Sequence, residues 1–366
     1  MNRPLIVCCS PDYGDGWRGL GPKLTGEGVG WVFFDDRPSW FLERVVRRPN
    51  IAIIRACLNA VLTASSKRAR LLVTQEPRTT FLCALLCRIL QLNIDHYVFS
   101  FNFPELPKGF RMRLMRYAFT QVKQFTVHSS MERDLYSDYF HIPKERIRLR
   151  LWSIGVPDVS PDYPLQVGRY VSAIGGNGRD YRTLIEAARR LPEIPFVLVV
   201  RPDNLIGLKI PANVKPIVNM PFKGAMNIML YSACTVLPLS GSTVPCGHVT
   251  LVCAMHLGKP VVATDSKGIC DYVFPGHNAV LCNPFSPEDL AQAIDKLWRD
   301  PGEIERLGEN NRCFGAANCT EANVRSDFAE VLRRWEIPLH EDSTSAHQEN
   351  KQMVAVSFGR NNEVSP

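Results

Sequence analysis

A glycine-rich turn in the second half of the chain carries the residues best suited to binding an anion. The segment Gly175-Gly176-Asn177-Gly178-Arg179 follows a short apolar run and leads directly into a helical pattern. Glycine lets the backbone approach a ligand closely, and a helix N-terminus presents unpaired N–H groups to anions. The Arg179 guanidinium adds a charge-assisted hydrogen-bond donor. We therefore predict a phosphate site here, the alternative being a plain glycine turn with an exposed arginine.

A second polar segment, Ser240–Asp271, has the order of strand end, loop, helix, glycine stop, strand and loop. At the predicted start of its helix, Gly247, His248, Val249 and Thr250 offer further backbone N–H groups for a phosphate. His248 could also polarise a substrate hydroxyl. A histidine that simply caps the helix explains this residue equally well.

A third glycine-rich loop follows the first predicted strand. Gly14 and Gly16 begin a spacing close to the dinucleotide fingerprint, but Gly21-Pro22 follows in place of a clear helix. Either Gly14 and Gly16 allow close backbone approach to a ligand, or the segment is a surface loop.

The histidines and cysteines indicate no metal centre. None of the 12 cysteines forms a Cys-x-x-Cys pair, and the 8 histidines show no metal-ligand spacing. Many of the cysteines stand in apolar runs, where a free thiol behaves as a small hydrophobic group. We predict a reducing compartment and no bound metal.

The composition is that of a folded protein. The 366 residues predict two domains at roughly 150 residues each, and 45% hydrophobic with 22% charged residues excludes disordered and collagen-like classes. The net charge of +7 is modest and favours an anionic substrate over nucleic acid. The longest apolar run, Phe81–Cys87, is far shorter than the roughly 20 residues that a membrane span needs. Because the N-terminus also lacks a signal-peptide pattern, we predict a cytoplasmic protein.

Short β-rich runs alternate with helical periods, which predicts an α/β fold of doubly wound parallel sheets. A proline-rich connector, Gly155–Gln166, separates the two halves. We predict domains at residues 1–158 and 166–318, and a polar disordered tail at 339–366. The predicted strands are Leu5–Ser10, Val29–Phe34, Arg70–Thr74, His96–Phe101, Gln124–His128, Tyr170–Ile174, Phe196–Val200, Val214–Val218, Thr235–Leu239, Pro260–Ala263 and Ala279–Leu281.

The segment Ala254–Thr264, with Gly258-Lys259-Pro260 at its centre, resembles the signature helix and strand of the family 4 glycosyltransferases. Asp271-Tyr272-Val273 and the following Gly276–Leu281 resemble that family's next loop. The resemblance implies a GT-B fold, in which two Rossmann-like domains face a cleft and a last helix, at 319–338, returns to the first domain. It also implies a nucleotide diphosphate-sugar donor, no metal requirement and retaining transfer of a hexose, although spacing itself gives no stereochemistry.

The sequence departs from the family pattern at its charged positions. The resemblance places Pro245 and Cys253 where the family has two glutamates, so that Cys253 lies at the ribose-binding position and Asp271 or backbone groups would have to bind the ribose. Gly176 stands in the place of the family's diphosphate-binding arginine, and Arg179 in the place of its lysine. Asn102 is the nearest polar substitute for the acceptor-side histidine, and it cannot act as a base.

The segment 108–120 offers a possible membrane contact. Phe110, Leu114 and Tyr117 share one helical face, and Lys108, Arg111, Arg113 and Arg116 surround it. Two alternatives are equally supported. Either this helix rests on the anionic inner face of a membrane, or its apolar face packs on the sheet.

We therefore predict a glycosyltransferase of polysaccharide biosynthesis, which moves a hexose from a nucleotide-sugar donor to a glycan or lipid-linked acceptor. Two rivals remain. One is a nucleotide-sugar epimerase, and the other is a nucleotide-binding or scaffold protein that has lost catalysis.

Overall fold

The structure of the protein is a computed structural model, which describes residues 3–11, 20–39, 43, 50–103, 105–160, 165–166, 168–243 and 245–340. The predicted loop sites Gly14 and Gly16, and most of the tail predicted at 339–366, lie outside the described residues. The chain forms two units. The first consists of Met1–His128, Glu132–Arg150 and Ala322–Pro366, and the second of Ser129–Met131 and Leu151–Glu321.

The first unit is built on a parallel sheet of six strands in the order β2-β1-β3-β4-β5-β6. Apolar residues fill its strands because helices cover both faces. The strands are β1 Leu5–Cys9, β2 Gly30–Phe34, β3 Leu71–Gln75, β4 His96–Ser100, β5 Gln124–Val127 and β6 Ile147–Leu149. The helices are α1 Leu20–Thr25, α2 Ile51–Ser66, α3 Pro77–Ile89, α4 Gly109–Phe119 and α5 Ser130–Phe140.

The second unit repeats this design with the order β12-β11-β10-β7-β8-β9. Apolar clusters lie on both faces of the sheet, as expected for a doubly wound domain. The strands are β7 Val171–Ile174, β8 Phe196–Val200, β9 Val214–Val218, β10 Cys234–Leu237, β11 Val261–Thr264 and β12 Ala279–Cys282. The helices are α6 Tyr181–Arg189, α7 Phe222–Tyr231, α8 His248–His256, α9 Pro287–Trp298 and α10 Pro301–Asn318. The last described helix, α11 Glu321–Arg334, belongs almost entirely to the first unit.

The last helix, α11, packs on the first unit. Phe328 is fully buried, with its ring centroid 5.3 Å from that of Phe99 and 6.0 Å from that of Tyr97. Arg148 of β6 forms an ion pair with Asp327 at 2.5 Å. The chain passes between the units at Arg150–Leu151, several residues before the connector at 155–166 where we predicted the boundary.

Helix α4 turns its predicted apolar face toward solvent. Phe110 is 78% exposed and Tyr117 48% exposed, whereas the helix buries Met115, Ala118 and Phe119. Of the two alternatives for this face, packing on the sheet does not apply to Phe110 and Tyr117, whereas Leu114 is half-buried. Within the described part of the chain, no helix is both long and apolar enough to cross a bilayer.

Each sheet has one place where the strand order reverses. In the first unit it lies between β1 and β3, and in the second between β7 and β10. Open parallel sheets bind ligands beyond the carboxyl ends of the two strands at such a switch point, because the loops leaving them diverge.

Candidate functional site

The glycine turn follows β7 directly, at the switch point of the second sheet. Gly175 has φ +113° and Gly178 φ +59°, both in the left-handed region that favours glycine. The Tyr181 hydroxyl donates to the Gly175 carbonyl at 2.5 Å. Asp180 caps α6 by accepting from the Thr183 N–H at 3.0 Å. The predicted phosphate turn is thus fixed between a buried strand and a capped helix.

Arg179 joins this turn to the second predicted segment. Its Nη1 donates to the Asn177 carbonyl at 2.9 Å, and its Nη2 donates to Thr250 Oγ1 at 3.1 Å. The backbone of Arg179 also forms an antiparallel bridge with Leu239, just beyond β10. The Nε atom is buried without a hydrogen-bond partner in the described structure. The glycine turn and the segment Ser240–Asp271 therefore meet at one switch point.

The start of α8 lies on the other side of this point. Gly247 has φ +105° and caps the helix without a side-chain hydrogen bond. A Cβ at this position would lie 3.2 Å from side-chain carbons of Leu237 and Leu239. Thr250 Oγ1 donates to the Ile174 carbonyl at 3.3 Å, and the Val249 side chain is exposed. The first turn of α8 thus stands beside the end of β7, with positive dipole charge at its N-terminus.

His248 is a buried part of the second unit. Its Nε2 lies 2.7 Å from the Gly268 carbonyl, to which it donates, and its ring stacks on Tyr272 with centroids 5.1 Å apart. This contact favours a structural role at the helix start over polarisation of a substrate hydroxyl, the role that the sequence suggested.

The structure argues against Cys253 as a donor contact and gives Asp271 a partner within the protein. Cys253 is wholly buried in the apolar core of the second unit, and burial raises the pKa of its thiol to about 12. A sealed neutral thiol cannot contact a ribose. Asp271 is less buried, but its Oδ2 already accepts from the Ser130 N–H at 2.7 Å and from the Ser130 hydroxyl at 3.0 Å. A ligand at Asp271 would have to compete with both donors.

Asn102 lies in the first unit, where it binds a buried carboxylate. Its Nδ2 donates to Glu132 Oε1 at 2.5 Å, and Glu132 Oε2 accepts from the His128 N–H at 2.9 Å. The Tyr136 hydroxyl donates to Oε1 at 3.3 Å, and burial raises the pKa of this phenol well above its usual value. Asn102 is thus anchored from within its own unit.

Three buried cysteines form the one cluster in the described structure whose geometry could hold a metal ion. The sulfur atoms of Cys9, Cys57 and Cys83 all lie within 4.8 Å of one another, and those of Cys9 and Cys57 are 3.8 Å apart. They sit in an aliphatic core of the first unit. The absence of a metal requirement stays a prediction.

The glycine turn has a second cation beside it that was not predicted from the sequence. Arg201, the first residue after β8, lies next to Gly176. The only signal in the sequence was its place just beyond a predicted strand, and the partner strand could not be identified from the sequence.

Comparison with known proteins matches the second unit to one family. Residues 177–314 match the model of the Glycosyl transferases group 1 family. The lipopolysaccharide core biosynthesis glycosyltransferase LpsE of Rhizobium meliloti is 29% identical over 165 residues, which are 42% of this chain and 44% of that protein. The D-inositol 3-phosphate glycosyltransferase of Streptomyces bingchenggensis is 30% identical over 113 residues, 29% of this chain and 24% of that protein. Across the four curated relatives, the matched segments span 15% to 44% of their lengths.

Solved structures resemble nearly the whole chain. A glycosyltransferase from Rickettsia africae superposes with a TM-score of 0.65 at 13% identity, covering 92% of this chain and 99% of its own. Anabaena HepE in complex with UDP gives a TM-score of 0.66 at 14% identity, with coverage of 90% and 99%. At this identity the likeness establishes the fold. The chain therefore has the GT-B fold, and its residues 177–314 are similar to the Glycosyl transferases group 1 family.

Proposed function

We propose that this protein transfers a hexose from a nucleotide diphosphate-sugar to a glycan or lipid-linked acceptor. The observation that carries the proposal is the meeting of the glycine turn and the α8 N-terminus, joined by the contact between Arg179 and Thr250. An anion at this switch point would meet a guanidinium, glycine backbone and the start of a helix together. Anabaena HepE, a structural neighbour, has been solved with UDP and with UDP-glucose.

The chemistry asked of this site is stabilisation of the leaving diphosphate. When the bond between the sugar and the diphosphate breaks, negative charge accumulates on the phosphate oxygens. Donors fixed before the reaction stabilise that charge without having to reorganise. Arg179 is held from two sides, by Asn177 and Thr250, so its guanidinium needs little ordering when the donor binds. We propose retention of the anomeric configuration, as in the resembled family.

The first experiment is a thermal-shift screen of nucleoside diphosphates and their sugars. We expect a diphosphate to raise the unfolding temperature, whereas the matching nucleoside should leave it nearly unchanged. Incubation of the stabilising nucleotide-sugar with and without candidate acceptors then separates the rivals. Transfer requires an acceptor, an epimerase converts the donor alone, and a scaffold protein binds the donor without releasing its sugar. Failure of every nucleotide to bind would contradict the proposal.

We propose that the reaction needs no metal ion, since guanidinium and amide groups take the position of a cation beside the phosphates. The measurement is transfer activity after treatment with a chelator and gel filtration. Unchanged activity is expected. Loss of activity that Mg²⁺ or Mn²⁺ restores would contradict this part of the proposal.

We also propose that the first unit contacts an anionic membrane surface. Phe110 and Tyr117 of α4 face solvent beside the exposed cations Lys108, Arg111 and Arg113. Helix α2 adds a stripe of exposed apolar residues, Ile54, Leu58 and Leu62. Apolar side chains ringed by lysine and arginine are typical of helices that lie in a membrane interface.

Liposome sedimentation tests this contact. We expect binding to vesicles that contain phosphatidylglycerol and little binding to phosphatidylcholine alone. The variant Arg111→Glu with Arg113→Glu should lose the binding. The matched control, Lys209→Glu with Lys296→Glu in the second unit, changes net charge equally and should keep it. Equal recovery with both vesicle types would contradict the membrane contact.

A further inference from the structure

Arg201 occupies the space that a side chain at position 176 would need. Strands β7 and β8 pair in parallel, with Ile174 opposite Val199, so the residues after each strand meet at one edge of the sheet. A Cβ on Gly176 would lie 2.7 Å from Cδ and 2.8 Å from Cγ of Arg201. Because real Cβ atoms do not approach carbon so closely, a side chain at 176 would require the Arg201 stem to move.

Hydrogen bonds hold Arg201 against the turn. Its Nη1 donates to Asn177 Oδ1 at 2.7 Å, and its backbone N–H donates to Asn204 Oδ1 at 3.1 Å. Asn204 Nδ2 in turn donates to the Gly176 carbonyl at 3.0 Å. The Arg201 side chain remains exposed. The guanidinium is therefore oriented by neutral groups and keeps donors for a ligand.

Arg179 and Arg201 flank the same four-residue turn. An Nη atom of Arg179 would be 3.0 Å from a Cβ on Gly175, just as the Arg201 stem adjoins Gly176. In the described part of the chain, neither guanidinium forms an ion pair with a carboxylate. Two uncompensated cations, one beside Gly175 and one beside Gly176, would find a natural partner in an anion of more than one negative charge.

We propose that Arg201 binds the diphosphate of the donor together with Arg179, and so supplies from β8 the cation that Gly176 cannot provide. This inference rests on the proposed function and adds a binding residue to it. The sequence alone leaves one cation at the turn, whereas the structure brings a second one to the same place. A purely structural Arg201 would support the turn through Asn177 and leave ligand binding unchanged.

The test separates the charge of Arg201 from its packing. Arg201→Gln keeps an aliphatic stem and an amide donor toward Asn177 but removes the charge. UDP, GDP and ADP are titrated by calorimetry into both proteins, with uridine, guanosine and adenosine as phosphate-free probes. We expect the variant to bind the preferred diphosphate roughly tenfold to a hundredfold more weakly, with nucleoside binding and unfolding temperature unchanged. Arg182→Gln, on the exposed face of α6, is the control and should bind as wild type does.

A position swap sharpens the test. Gly176 lies outside the left-handed region, so its backbone accepts an arginine once the Arg201 stem is gone. Arg201→Ala alone should lose affinity, and Gly176→Arg with Arg201→Ala should regain most of it. Wild-type diphosphate affinity in Arg201→Gln overturns the inference and leaves the proposed function intact, as does a folded swap variant that regains nothing. If wild type binds none of the three diphosphates, the proposed function and the inference both fail.

Discussion

The two units share a sheet design but treat their switch points differently. In the second unit, glycines follow β7 and precede α8, and Arg179 and Arg201 stand beside them. In the first unit, β3 is followed at once by Glu76, whose φ of +68° and ψ of +154° fall in a region otherwise left to glycine. The helix after the second strand of each switch point therefore begins at Gly247 in the second unit and at a carboxylate, Glu76, in the first.

Two carboxylates of the first unit accept hydrogen bonds from donors of the same unit. Glu76 Oε1 accepts from the Thr79 N–H at 3.0 Å, and Glu132 accepts from Asn102, His128 and Tyr136. In the second unit, Arg179 and Arg201 contact neutral groups and keep donors for a ligand. The comparison predicts that changes in the first unit alter stability and its pH dependence, while changes at the second switch point alter ligand binding.

The largest effect is expected at His96 in the first unit. His96 is 1% exposed, its Nε2 lies 2.7 Å from Thr74 Oγ1, and burial lowers its pKa to about 3. Because the folded pKa lies below the unfolded value of about 6.5, the unfolded chain binds more protons between these values, and stability falls as the pH is lowered through that window. His96 should therefore destabilise the unit by about 3 kcal/mol at pH 4 relative to pH 7.

Denaturant unfolding at pH 4 and pH 7 measures this loss. His96→Gln keeps a polar side chain but cannot take up a proton, so its stability should change less with pH. His277→Gln, at an exposed position in the second unit, should follow wild type. Parallel pH profiles of wild type and His96→Gln would show that the imidazole is not held neutral.

Arg179→Ala tests the second unit and should separate binding from stability. Removing one charge-assisted contact to a diphosphate should cost roughly 1.5 to 3 kcal/mol of binding free energy. The free energy of unfolding without ligand should change much less, since the Arg179 side chain bonds to Asn177, Cys246 and Thr250 and, in the described part of the chain, to no carboxylate. Calorimetry with the preferred nucleoside diphosphate measures the first quantity and denaturant unfolding the second. Wild-type affinity in this variant would show that Arg179 does not bind the diphosphate. Arg182→Ala is the control for a general effect of lost charge.

Gly247→Ala should cost about 2 kcal/mol of stability, because its φ of +105° strains any other residue and its Cβ would press on Leu237 and Leu239. Gly276→Ala is the matched control. Gly276 has φ +71° with open space around its Cβ position, so only the backbone strain of about 1 kcal/mol should appear. Chemical denaturation compares the two. Equal losses would mean that α8 does not need its close approach to the end of β10.

Two strands were predicted at their observed bounds. Phe196–Val200 is an unbroken apolar run, whereas Val214–Val218 has Lys215 and Pro216 between its apolar residues. Strand β6 was not predicted, because it has only three residues and Arg148 is at its centre. An ion pair with Asp327 of helix α11, far away in the sequence, stabilises Arg148 there. Helix α7 was not predicted, because Gly224 lowers the helical propensity of the segment. Burial of Met226, Ile228 and Met229 offsets this low propensity, but only in the folded protein.

Only the part of the site that lies within one continuous segment of the sequence could be predicted. The glycine turn and Arg179 are adjacent in sequence, and their chemistry follows from residue type. The relation of Arg201 to Gly176 depends on the parallel register of β7 and β8, which no local pattern contains. The direction of His248 toward Gly268 and the burial of Cys253 likewise come from packing across the second unit.

The smallest effect tests whether Glu76 is a charged group at the first switch point. Burial raises the pKa of its carboxyl, so the fold favours the protonated form, and the stability gained below the unfolded pKa is lost as pH rises through the folded pKa. Glu76→Gln keeps an oxygen for the Thr79 N–H and never ionises. Relative to wild type, this variant should therefore become more stable as pH rises from 4 to 7.

Glu303→Gln supplies a control of opposite sign. The Arg306 guanidinium lowers the pKa of Glu303 by hydrogen bonding, so wild type gains stability from ionisation as pH rises and the glutamine variant does not. Unfolding curves at several pH values between 4 and 7 should therefore diverge in opposite directions for the two variants. A Glu76→Gln profile parallel to wild type would mean that water reaches the carboxylate freely, and the contrast between a partly buried carboxyl after β3 and the exposed Arg201 after β8 would then fail at Glu76.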